Sequence, residues 1–179
     1  GRGIAEDGAV VHQFAASGVD FLVATSFSKS FSLYGERVGA LSVVCSSADA
    51  QARVLSQLKI AVRTNYSNPP THGAQVVTTV LTTPSLRQQW ESELAQMRER
   101  IRDMRQALVD GMKAAGVTAD VSYITAQLGM FSYSGLQRDQ MIRLREEFAI
   151  YGVDSGRICV AALNRGNLDA VVRGVVSVM

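Results

Sequence analysis

Three lysines stand against fifteen arginines in this chain, and one of the three, Lys29, lies where an amine could react. It sits in the run Ser26-Phe27-Ser28-Lys29-Ser30-Phe31-Ser32-Leu33-Tyr34-Gly35-Glu36-Arg37-Val38-Gly39, just after the apolar stretch Phe21-Leu22-Val23-Ala24. Such a stretch reads as a buried strand, and α/β proteins bind ligands beyond the carboxyl ends of their strands. An amine, unlike a guanidinium, can lose its proton and attack a carbonyl. Pattern alone leaves open a lysine that simply reaches out of a loop into water. In the same run, Arg37 offers a rigid fork suited to a phosphate dianion, and Ser26 and Ser28 add hydroxyl donors. Pairing of Arg37 with its neighbour Glu36 is the competing reading.

Other cations are placed with similar economy. Arg157 follows Ser155-Gly156 at the start of a short apolar segment, where a fixed guanidinium could grip a carboxylate or make a strand-edge ion pair. Arg63 falls near the end of a helical pattern, where cations are favoured in any case. His12 and His72 have no partners at triad or metal-site spacing. Gly35, Gly39, Gly129 and Gly135 form neither a dinucleotide fingerprint nor a phosphate-binding loop.

The elements that must position these groups follow from periodicity. Glu6–Ala16 reads as a helix with Val10, Val11 and Phe14 inward, followed by a strand at Asp20–Thr25, the lysine loop, and a strand at Val38–Val44. A helix near Ala48–Val62 carries Val54, Leu55, Leu58 and Val62, and Asn68-Pro69-Pro70 stops it. A further helix covers Gly73–Leu81. Thr83-Pro84 then reads as a cap and first-turn proline. From there Leu86, Trp90, Leu94, Met97, Ile101, Met104 and Leu108 recur every three or four residues, one apolar stripe on a long helix that ends near Gly116. Beyond it the pattern predicts a strand at Met130–Tyr133, a helix at Gln137–Phe148, short strands at Tyr151–Val153 and Ile158–Ala161, and a last helix from Asn167 to Val178. The class is α/β.

Composition excludes several functions. A net charge of +2 on 179 residues is too small to suggest nucleic acid. The one dense charged run, Arg98 to Arg105, mixes signs at helical spacing and reads as a solvated helix face. Cys45 and Cys159 are isolated, which indicates neither a disulfide framework nor a zinc site and fits a reducing cytoplasm. No run is long enough to cross a bilayer.

The lysine run closely resembles the cofactor-lysine segment of the aspartate and aromatic amino-acid aminotransferases. Three further stretches match that family in order: Ala61-Val62-Arg63-Thr64-Asn65-Tyr66-Ser67-Asn68-Pro69-Pro70, Gly129-Met130-Phe131-Ser132-Tyr133-Ser134-Gly135-Leu136, and Ser155-Gly156-Arg157-Ile158-Cys159-Val160-Ala161. The similarity is greatest to the bacterial aromatic-amino-acid enzymes. It implies part of the fold type I large domain in residues 1–96 and a small α/β domain in 97–179, bridged by the long helix at about 84–115.

The resemblance also assigns roles. Lys29 becomes the Schiff-base residue for pyridoxal 5'-phosphate and the group that moves the substrate's Cα proton. Arg37 and Ser26, with Ser28 assisting, hold the cofactor phosphate. Arg157 binds the substrate α-carboxylate. Arg63 reaches across a homodimer interface to read side-chain carboxylates in the neighbouring site, with Asn65, Tyr66 and Ser67 nearby. Phe131 lines the substrate pocket, although an aromatic in a strand also reads as core. The substrates implied are an amino acid and a 2-oxo acid, aromatic ones with aspartate or glutamate sharing the site. A strict aspartate aminotransferase is the nearest rival, because Arg63 serves either. A noncatalytic fragment is the other: family members are longer, and their residues for the pyridine nitrogen, the ring oxygen and ring stacking would precede Gly1.

Overall fold

The first residues form two short helices, α1 (Ile4–Asp7) and α2 (Ala9–Ala16), so the single helix expected over 6–16 is interrupted at Gly8. Two six-residue strands follow, β1 (Phe21–Ser26) and β2 (Gly39–Val44), paired antiparallel from Phe21 opposite Val44 to Ser26 opposite Gly39. Glycine is required at the last pair, since a Cβ at Gly39 would lie 2.6 Å from the Thr25 carbonyl oxygen. Helix α3 (Ala48–Tyr66) is capped by Ser47, whose Oγ accepts the Ala50 N–H at 3.2 Å. It runs four residues past its expected end at Val62, which places Arg63 inside the helix. Helix α4 (His72–Thr82) starts beyond the two prolines.

Helix α5 (Pro84–Ala114) begins at the predicted first-turn proline. After it come α6 (Ser122–Ala126), β3 (Phe131–Tyr133), α7 (Arg138–Phe148), β4 (Arg157–Cys159), a 3₁₀ turn (Val160–Ala162) and α8 (Leu168–Val178). The α6 helix is not visible in the periodicity, because a five-residue element shows barely one turn of pattern. Conversely, the strand expected at Tyr151–Val153 does not form. Those residues lead into a turn closed by Gly156 N–H to the Val153 carbonyl at 2.9 Å. β3 and β4 pair antiparallel, with Phe131 opposite Cys159 and Tyr133 opposite Arg157.

This computed structural model describes all of residues 1–179 and divides into two compact units, Gly3–Leu94 and Ala95–Met179, the latter with Gly1–Arg2. The second unit has a closed core. Leu108, Val109 and Met112 of α5 meet Val121, Ile124, Met141, Leu144, Val160, Val175 and Val178, all buried. The first unit has almost none: Val77 is its one buried apolar side chain, and no residue of α3 is buried. Val10, Val11 and Phe14, expected to face inward, are exposed, as is Leu55. Their periodicity is real, but in this unit no layer covers the faces that carry them. No helix is long and apolar enough to cross a membrane.

Candidate active site

Lys29 lies in the loop that joins β1 to β2, and the loop is shaped by its own backbone. Phe27 N–H extends the ladder to the Val38 carbonyl at 3.2 Å, closing the base. Phe31 N–H then bonds the Phe27 carbonyl and Ser32 N–H the Lys29 carbonyl, both at 3.2 Å, which winds one turn around the lysine. Two residues of the loop that are not glycine, Ser32 (φ 55°) and Arg37 (φ 51°), are left-handed. Each such backbone costs on the order of 1 kcal/mol and persists only where surrounding contacts hold it. From the α5 side, Trp90 stacks on Phe31 with ring centroids 4.8 Å apart, and its indole N–H donates to the Ser30 carbonyl at 2.8 Å. The residue next to Lys29 in sequence is thereby fixed.

Tyr34 connects the two cationic groups of the loop. The Lys29 ammonium stands 4.2 Å from the centroid of its ring, and Arg37 Nη1 donates to its carbonyl at 3.0 Å. Arg37 makes no ion pair, with Glu36 or any other acid, so most of its fork is unengaged. Ser26 Oγ accepts the Ser28 N–H at 3.3 Å, placing both serines at the end of β1. Arg37 also lines a groove of about 860 Å³ with Glu36, Tyr66, Pro69, Gln75 and Thr79. An amine, an unengaged guanidinium and hydroxyls on one short loop suit an anionic ligand that carries a carbonyl.

Arg63 sits one turn before the end of α3, and its Nη1 donates to Ser67 Oγ at 2.8 Å. Ser67 has φ 67° and ψ −68°, and Asn68 N–H bonds the Tyr66 carbonyl at 2.8 Å. That is a γ-turn of the rare positive-φ kind, a strained way to leave a helix. Lys59, Val62, Arg63 and Ser67 share a shallow groove of about 360 Å³.

In the second unit the β3–β4 ribbon places Phe131 and Arg157 on one face as diagonal neighbours. The Arg157 guanidinium carbon lies 5.0 Å from the Phe131 ring centroid, and Arg157 makes no ion pair. Phe131 is 45% exposed, which excludes the core reading of this aromatic. Gly156 turns the chain just before Arg157. It has φ +79°, and a Cβ there would meet the Leu136 carbonyl oxygen at 2.5 Å, so only glycine suits the position.

Sequence periodicity missed Arg105. Its place in the mixed-charge run suggested water, yet it is only 3% exposed. The signal was present: Arg105 lies four residues after Ile101 and three before Leu108, on the apolar stripe itself. Burial lowers its pKa, but a guanidinium stays protonated.

A family description, "Aminotransferase class I and II", matches residues 3–175. The aspartate aminotransferase of Pseudomonas aeruginosa is 60% identical over the whole chain, which spans 45% of that relative. The aromatic-amino-acid aminotransferase of Escherichia coli is 49% identical, again over the whole chain and 45% of the relative. Among solved structures, the aromatic-amino-acid aminotransferase from Burkholderia pseudomallei, covalently bound to pyridoxal phosphate, superposes with a TM-score of 0.96 at 60% identity, covering 98% of this chain and 44% of that one. The chain thus spans less than half the length of the relatives it matches. It belongs to the class I and II aminotransferases, in the α/β fold of the pyridoxal-phosphate-dependent enzymes.

Proposed function

We propose that this chain carries the cofactor lysine and substrate-carboxylate arginine of a transaminase. The enzyme would exchange an amino group between aromatic amino acids, with aspartate or glutamate, and 2-oxo acids. The observation that carries the reading is the Lys29 loop: one amine on a strained, tightly held turn that also carries an arginine whose fork no acid occupies. The donor set fits pyridoxal 5'-phosphate, an aldehyde bearing a phosphate. Lys29 would hold the aldehyde carbon, and Arg37, Ser26 and Ser28 the phosphate oxygens. When bound, that group supplies the electron sink that makes a substrate Cα–H acidic.

The chain's own residues do the rest. Lys29 Nζ, once free, would take the proton from the substrate Cα and deliver it to the carbon on the far side of the substrate nitrogen, which requires the neutral amine. Arg157 grips the α-carboxylate with a two-pronged fork, fixing which bond at Cα faces the amine. Phe131, across whose face Arg157 lies, keeps water off one side of that fork and offers an apolar surface to an aromatic side chain. Arg63 reads a side-chain carboxylate in the neighbouring site of a homodimer. For an aromatic substrate it must turn away, because a ring cannot satisfy a buried guanidinium. We place the enzyme in the cytoplasm and assign 1–96 to the cofactor-binding domain and 97–179 to the small domain.

The test is Lys29→Ala in the intact enzyme. The expected outcome is loss of turnover by at least about 10⁴-fold, on the scale seen when the covalent catalytic group is removed. Undiminished turnover refutes the assignment. Comparing kcat/KM for phenylalanine and aspartate on the unaltered enzyme then separates the readings. Negligible phenylalanine turnover makes it a strict aspartate enzyme.

A further inference from the structure

Arg105 is a cation in the core with no acid to neutralise it. Its Nη1 donates to the Ile124 carbonyl and to Ser132 Oγ, each at 3.0 Å. Its Nη2 donates to the Gly129 carbonyl at 2.8 Å and the Phe131 carbonyl at 3.3 Å. No ion pair involves it. Burying a charge on dipoles alone is expensive, and an apolar residue of similar volume is often no worse for stability. The position of the four acceptors says what this charge achieves instead. All belong to the stretch from the end of α6 to β3, in which 127–130 has no helix or strand of its own.

The β3–β4 ribbon has two faces. Ser132 and Ile158 point inward, Ser132 being buried, while Phe131, Tyr133, Arg157 and Cys159 form the exposed face. Arg105 therefore holds the ribbon from beneath through Ser132, and holds its leading end through the Gly129 and Phe131 carbonyls. Ser132 Oγ passes the constraint on to Gln127 Oε1 at 2.9 Å, and that oxygen also accepts the Tyr133 N–H at 2.8 Å. A planar fork with five donors reaches all of these acceptors at once; an ammonium with three tetrahedral donors cannot.

We propose that Arg105 is a positioning residue for carboxylate capture, setting from below the strand on which Phe131 and Arg157 present their shared face. The inference rests on the reading that Arg157 binds the substrate carboxylate.

Its test uses the intact holoenzyme with Arg105→Lys, Ser132→Ala and, as reference, Arg157→Met. For each variant the KM and kcat for phenylalanine are measured well below Tm, together with the Kd of 3-phenylpropanoate, a carboxylate that has no amine to react. Arg105→Lys is expected to raise both KM and Kd on the order of tenfold while kcat falls much less, because small misplacement of a binding fork costs affinity first. Ser132→Ala removes one anchor and leaves the backbone acceptors with Arg105, so it folds even if Arg105→Lys does not. It is expected to raise Kd in the same direction by about threefold. A lowered Tm with unchanged Kd in the folded variants makes Arg105 purely structural and overturns the proposal. If Arg157→Met itself leaves Kd unchanged, the carboxylate reading fails and takes the proposal with it. If Arg157→Met weakens binding and the other two do not, only the role of Arg105 is lost.

Discussion

Helices α3 and α7 both carry apolar residues at helical spacing, and they end up in opposite situations. Helix α7 buries Met141 and Leu144 in a core that α5 and α8 complete. Helix α3, nearly twice as long, buries nothing, and the faces of β1 and β2 leave Leu22 and Leu41 more than half exposed. The contrast teaches that an apolar face is a demand for a covering layer and not proof of one. Residues 95–179 contain their own second layer, whereas residues 3–94 do not. In the first unit the lysine loop is held by local contacts instead, Phe27 edge-on to Phe31, Phe31 stacked on Trp90, and the Trp90 hydrogen bond.

The largest consequence concerns local opening. In hydrogen exchange on the 179-residue chain, amides of α5 within 104–112 and of α7 should exchange only through global unfolding of their unit. Those of α3 should open locally, with protection lower by several orders of magnitude. Equal protection in α3 and α7 would erase the comparison. Next in size, Met141→Ala should cost about 2–5 kcal/mol in denaturant unfolding, since a fully buried side chain leaves a cavity. Leu41→Ser on the exposed face should change stability by no more than about 0.5 kcal/mol. Comparable costs would mean that the β1–β2 face is covered after all.

The smallest effect is electrostatic. Arg143 donates to Glu147 at 2.7 Å, and that hydrogen bond, more than any other cause, holds the Glu147 carboxyl below the usual carboxylate range. A folded-state pKa that is depressed stabilises the fold above the unfolded pKa, and the contribution fades as pH falls through the folded value. Both side chains are exposed, so the effect is slight. Glu147→Gln should therefore lower Tm a little at neutral pH and not at all at pH well below the carboxylate range. A loss that persists in acid would assign the effect to packing.

Much of the architecture was legible because its signals are local. The Thr83-Pro84 start of α5, the proline stop after α3 and the strand–loop–strand around Lys29 each depend on neighbours a few residues apart. Arg105 was misread for the same reason. Charge pattern within a helix says nothing about the carbonyls brought to it from residues 124–132. The inward face assigned to α2 failed differently, since periodicity locates a face and cannot count the layers available to cover it. Tyr151–Val153 had strand-like residues but no partner strand to pair with.

The amino-acid order alone therefore determined which groups could react: an amine on a loop after a strand, and arginines in separate segments. Only the folded chain decided their company. It put Tyr34 between Lys29 and Arg37, Phe131 beneath Arg157, and a buried guanidinium under β3. The physical reason is range. Propensity and capping act over a few residues, while packing, stacking and desolvation act between residues brought together from distant parts of the sequence.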